Sequence, residues 1–126
     1  MRVTADTNVL IRAAVMDDPV QAAIASKALK KAELIAISTP CLCEFVWVLR
    51  GVYHFDDAAC STAIRALLAT RNAAMDRPAV EAGLALLESG GDFADGVMSH
   101  EGKWLARIFH RSRPKTMTAP PFMPEN

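Results

Sequence analysis

The sequence has little of what usually announces a function: three cysteines, three histidines, one tyrosine and no net formal charge across 126 residues. Cys41, Cys43 and Cys60 are odd in number and form no CxxC pair. That argues against a disulfide framework and a zinc site, and for small buried hydrophobes. His54, His100 and His110 show no catalytic spacing. No apolar run approaches the roughly 18 residues needed to span a bilayer. The first residues lack the charged-then-apolar order of a signal peptide, so the expected setting is the cytoplasm, with no membrane. What is plentiful is apolar: hydrophobic residues make up 52% and charged ones 22%, the balance of a globular chain able to close one core.

The zero net charge conceals an asymmetry. Residues 1–106 hold ten Lys and Arg against thirteen Asp and Glu, whereas residues 107–126 hold four against one. A mildly acidic body is followed by a basic, proline-rich tail. Overall charge does not announce a nucleic-acid partner, although a locally basic rim could still supply phosphate contacts.

Strand and helix patterns alternate along the body. Val3-Thr4-Ala5 reads as a short buried strand and Val9 to about Met16 as a helix. Asp18 and Pro19 open a second helix to about Ala32, with Val20, Ala23, Ile24 and Ala28 inward and Lys27, Lys30 and Lys31 outward. Leu34-Ile35-Ala36-Ile37 has the continuous apolar character of a strand buried on both faces. Thr39 caps and Pro40 opens a third helix to about Val52; Asp56 caps a fourth, from Asp57 to about Arg71. A third strand lies near Ala73 to Met75, and Asp76 caps a helix from Pro78 to Glu88 that Gly90-Gly91 ends. A sixth helix begins at Asp92 and reaches about Ala106. This order predicts an α/β domain over residues 1–106, with helices on both faces of a small, mostly parallel sheet.

Four acids stand out. Asp6 follows the first strand, at the sheet edge where α/β proteins bind ligands; it also suits the cap of the next helix. Glu44 is the only charged residue in Pro40-Cys41-Leu42-Cys43-Glu44-Phe45-Val46-Trp47-Val48-Leu49. A helix apolar all round is buried, so Glu44 is expected to be buried, and to need a cation or an ion pair with Arg12 or Lys103. Asp92 and Asp95 stand three apart at the start of the sixth helix, where a capping box accounts for Asp92 better than for Asp95. If Asp6, Glu44 and Asp95 converge, their repulsion calls for a multivalent cation, and all-oxygen ligands favour Mg²⁺ or Mn²⁺. Such a metal suits phosphodiester hydrolysis without a histidine base.

Ala5-Asp6-Thr7-Asn8-Val9-Leu10, Glu44 within its apolar helix, and Asp92-Phe93-Ala94-Asp95-Gly96-Val97 together resemble the PIN-domain ribonucleases of the VapC toxin type, over about residues 1–105. The resemblance implies a three-layer α/β/α fold and Mg²⁺- or Mn²⁺-dependent endonucleolytic cleavage of RNA, often transfer or ribosomal RNA. It implies Asp6, Glu44 and Asp95 as catalytic metal ligands, Asp92 as an accessory carboxylate, and Thr7 and Asn8 as residues that shape the site. It further implies a VapB-type antitoxin partner and a homodimer or toxin–antitoxin hetero-oligomer.

The ending departs from that pattern. Family members follow the sixth helix with a Ser/Thr-Phe-Asp strand carrying a fourth acid, whereas no Asp follows Asp95 here and Pro114, Pro120, Pro121 and Pro124 oppose a regular strand. A changed reading frame over the tail is the expectation this raises. Two further readings stay open: a catalytically impaired PIN-like protein that still binds its antitoxin, and an Asp6-dependent phosphotransferase.

Overall fold

The computed structural model describes residues 2–15 and 18–112, the last ten as backbone only. Its elements are β1 (Arg2–Thr4), α1 (Thr7–Ala14), α2 (Pro19–Lys31), β2 (Leu34–Ala36), α3 (Thr39–Gly51), α4 (Asp57–Leu68), β3 (Ala73–Ala74), α5 (Arg77–Glu88) and α6 (Phe93–Ser112). The strands form one parallel sheet in the order β1-β2-β3, with Val3 opposite Ile35 and Ile35 opposite Ala73. The described fold is therefore mixed α/β, as the alternation of patterns requires. No described helix is long and apolar enough to cross a membrane.

Short polar side chains set the helix starts. Asp6, Asp18, Ser38, Asp56 and Asp76 each accept a backbone N–H from the first turn that follows, satisfying donors that a helix cannot pair internally. Proline occupies an opening position of α2, α3 and α5, where its missing N–H costs nothing. α5 ends in a Schellman turn: Gly91 N–H donates to Leu86 O at 2.8 Å and Gly90 N–H to Leu87 O at 3.1 Å, with Gly90 at φ +96°.

Several expectations need correction. The cap of α3 is Ser38, with Thr39 already helical. α1 begins at Thr7, directly after its cap Asp6, and α4 stops at Leu68. β2 is not buried on both faces: Ile35 is, but Leu34 is exposed and Ala36 half-buried. The inward face of α2 consists of the buried Ala22 and Ala25 with the half-buried Leu29, while Val20, Ala23, Ile24 and Ala28 are exposed. Small alanines allow α2 to approach α1 closely, and that packing outweighs the larger apolar side chains. α6 continues to Ser112, beyond the expected boundary at residue 106. Met16, Asp17 and the segment 113–126, which holds all four tail prolines, lie outside the described residues.

Leu42, Phe45, Val46 and Leu49 of α3 enter the core, where they join Leu10, Ile35, Ile64, Leu84 and Phe93. Their i, i+3, i+4, i+7 spacing makes one apolar stripe. α5 and α6 meet at glycines. A Cβ on Gly83 would stand 2.7 Å from Phe93, and one on Gly96 would stand 2.6 Å from the carbonyl oxygen of Ala82. Arg65 of α4 makes a forked ion pair with Glu88 of α5, and the buried Ser61 hydroxyl donates to the same carboxylate.

Gly96→Ala is expected to destabilise by about 1–3 kcal/mol, because overpacking against a carbonyl outweighs the ~1 kcal/mol that alanine adds within a helix. Urea unfolding checks this; a variant as stable as the parent would contradict the close approach. The Arg65 and Ser61 hydrogen bonds hold the Glu88 carboxyl down to about 2, against an ordinary value of 4.5. A carboxyl depressed on folding stabilises above its unfolded value and loses that effect as pH falls through the folded one. The stability difference between the parent and Glu88→Gln should therefore be fully present above the ordinary value of 4.5, shrink as pH falls toward about 2, and be lost only below that folded value. It should be small, since the pair is solvent-screened.

Candidate carboxylate site

The turn from β1 into α1 presents Asp6 at the carboxyl edge of the sheet. Its Oδ1 accepts the Val9 N–H at 2.8 Å, so the cap reading is realised with one carboxylate oxygen. Beside it, the Cys41 thiol donates to Ala5 O at 3.7 Å and lies 3.7 Å from the Thr7 hydroxyl. Cys41 is in the first turn of α3, and Glu44 follows one turn later. Burial pushes the Cys41 thiol up from its ordinary value; the Thr7 hydrogen bond opposes this, and the charges of Glu44 and Asp6 add to it. Asn8 is exposed.

Glu44 is not buried. It is exposed, as is Trp47 at 71% of its surface, because the core stripe of α3 runs along the opposite side. The predicted partners Arg12 and Lys103 are not needed to offset burial that does not occur. Exposure instead makes Glu44 reachable. It lines a cleft of about 520 Å³ together with Cys43, Trp47, Arg50 and Asp92. Arg50 is held by Asp57 at 3.3 Å. Asp92 accepts the Asp95 N–H at 3.1 Å, which caps α6, and Asp95 is exposed. Burial raises the Cys43 thiol, with Asp92 and Glu101 adding to the effect.

Glu44 and Asp92 therefore line one cleft, while Asp6 lies in the turn whose flanking residues Ala5 and Thr7 contact Cys41, one helical turn before Glu44. Asp95 joins neither directly. Among the described residues no three of His, Cys, Asp and Glu stand close enough to hold a metal ion together. Two carboxylates are still a sufficient protein contribution for Mg²⁺, which commonly keeps several waters and completes its shell with substrate phosphates. Carboxylate oxygens are the donor type that metal takes, and Glu44 and Asp92 line one cleft where it would be shared with substrate.

Sequence reasoning does not single out Trp47, Arg50, Cys41 and Cys43 as site residues. The signal is present in the phase of α3: once Leu42, Phe45, Val46 and Leu49 are assigned inward, positions 44 and 47 must face out. Of the cysteines only Cys60 is fully buried; Cys41 and Cys43 are half-buried. His54 lies in the loop after α3 at φ 59° and His100 on α6. A larger cleft of about 560 Å³, lined from α1, α2, β2, β3 and α4, contains no carboxylate.

Compared with known proteins, the chain matches no family model, no curated relative and no solved structure.

Because Asp6 and Asp92 both cap helices, Asp6→Ala and Asp92→Ala should each lose about 1 kcal/mol of stability, while the Asn variants keep most of it. Urea unfolding of the four variants decides; equal losses for Ala and Asn would remove capping as the role of these side chains.

Proposed function

We propose that this chain is a Mg²⁺- or Mn²⁺-dependent endoribonuclease of the PIN-domain, VapC-toxin type, hydrolysing phosphodiester bonds of transfer or ribosomal RNA. One observation carries the reading: Asp6 caps α1 at the carboxyl end of β1, in a turn whose neighbouring residues Ala5 and Thr7 both contact Cys41 of α3, the helix that carries Glu44 one turn further on. Asp6 and Glu44 are both exposed to solvent and hence to a polyanionic substrate.

Asp6 and Glu44 would hold the metal, with Asp92 as accessory carboxylate and Asp95 drawn in from the first turn of α6. When bound, the metal acidifies water and offsets charge on the scissile phosphate. The protein supplies the rest. Thr7 and Asn8 frame Asp6, the α1 cap fixes the direction of its carboxylate, and Asp92 fixes the start of the helix that bears Asp95. Trp47 and Arg50 give the cleft an aromatic face and a guanidinium, groups that suit an unpaired base and a phosphate. The same reading brings a VapB-type antitoxin and a homodimer or toxin–antitoxin hetero-oligomer. On this reading the carboxylate-free apolar cleft lined from α2 and α4, with Lys30 in its lining, is the surface such a partner would cover.

A second reading, antitoxin binding without catalysis, is favoured by the failure of three acids to gather among the described residues and by the lack of any Asp after Asp95.

A transfer-RNA pool incubated with Mg²⁺, Mn²⁺ or EDTA separates the two. Metal-dependent cuts are expected from the parent, falling about 100-fold or more in Asp6→Asn, Glu44→Gln and Asp95→Ala, since a metal contributes several kcal/mol and each 1.4 kcal/mol is tenfold in rate. Asp6→Asn is preferred to alanine because it preserves the α1 cap. Asp92→Asn should remain active. Identical, metal-independent behaviour of parent and variants would leave the binding protein as the reading.

A further inference from the structure

We propose that Cys41 is a positioning residue: its sulfur clamps the β1–α1 turn to the start of α3 and thereby sets the placement of Asp6 against Glu44. The role assigned to that placement rests on the metal-dependent reading above; the clamp itself rests on geometry.

The thiol has one proton, and Ala5 O receives it at 3.7 Å. The Thr7 hydroxyl, also at 3.7 Å, is then left to donate to a sulfur lone pair. Ala5 and Thr7 are the residues on either side of Asp6, so the sulfur grips the chain both before and after the acid. On its own side Cys41 is anchored in the first turn of α3, where its N–H donates to Ser38 Oγ at 3.2 Å. Glu44 is three residues further along the same rigid helix, on the same side of it. Movement of the Asp6 turn relative to Glu44 must therefore break a contact to Cys41. Sulfur suits the gap because its longer reach spans distances at which a hydroxyl would fall short. Such bonds are too weak to decide folding, yet strong enough to choose between nearby positions of a surface turn.

The test compares Cys41→Ser, Cys41→Ala, Thr7→Ser and Thr7→Val, with Asp6→Asn as the control that removes a ligand. Mn²⁺ affinity is read by paramagnetic broadening of amide signals, beside the melting temperature. Cys41→Ala and Thr7→Val should each bind Mn²⁺ about tenfold more weakly with little change in melting, as expected when a ligand's supporting bond is lost. Thr7→Ser keeps the hydroxyl and should recover most of the affinity, Cys41→Ser should recover only part of it because its oxygen reaches less far than sulfur, and Cys41→Ala with Thr7→Val together should cost little more than either alone. A purely structural cysteine would lower the melting temperature and leave Mn²⁺ affinity untouched, which would overturn the proposal. Residual dipolar couplings of the Ala5–Asn8 amides in metal-free protein read the clamp independently. A reoriented turn in Cys41→Ala supports it even where the parent binds no Mn²⁺, a result that would count against the metal reading alone. An unmoved turn overturns the clamp whatever the metal does.

Discussion

Burial of one stripe of α3 is the constraint on which the rest of this structure depends. Leu42, Phe45, Val46 and Leu49 are all almost fully removed from water, and together they contribute several kcal/mol of transfer free energy, at about 1.5–3 kcal/mol per large side chain. That is large compared with any hydrogen bond or ion pair at the surface. It fixes the rotation of α3 about its own axis, and with it the direction of every other residue on that helix. Cys41 is turned toward the β1–α1 junction, Glu44 toward solvent in the cleft that Asp92 also lines, and Trp47 outward along the cleft.

The capping residues read directly from sequence. Asp18, Asp56 and Asp76 sit where the polar residue before an apolar period should sit, and the Gly90-Gly91 stop works as glycine at a left-handed position must. Local backbone chemistry suffices for these, so a single chain carries the information. The faces of helices are less legible. In α2 the apolar count points to Val20 and Ile24, yet the core accepts Ala22 and Ala25, because the distance between packed helices is a property of the pair and not of either sequence. In α3 the composition is so apolar that no polar side marks the outside, and the pattern puts the carboxylate of Glu44 in the core when it is part of the surface.

The acids show the same division. That Asp6 and Asp92 begin helices follows from residue type and spacing; that Glu44 shares a cleft with Asp92 depends on the phase of α3 and on the contact of α6 with α5. The latter is held by two glycines, Gly83 and Gly96, whose missing side chains let one backbone approach the other. Asp95 immediately precedes Gly96, so the close crossing of α5 and α6 fixes its height as well. The carboxylates thus differ in how they are held: Asp6 by a cap and a sulfur, Glu44 by a hydrophobic stripe one face away, Asp92 and Asp95 by a helix pinned at a glycine.

The exposure of Trp47 has a practical side. An indole with about seven-tenths of its surface in water, set on the wall of the cleft shared by Glu44 and Asp92, emits at long wavelength and is open to collisional quenchers such as iodide or acrylamide. Anything that fills the cleft must dehydrate that ring. With Trp104 replaced by Phe, so that Trp47 is the one indole of the sequence, the protein carries its own optical reporter, in which a blue shift and loss of quenching record occupancy without a label or a substrate turnover.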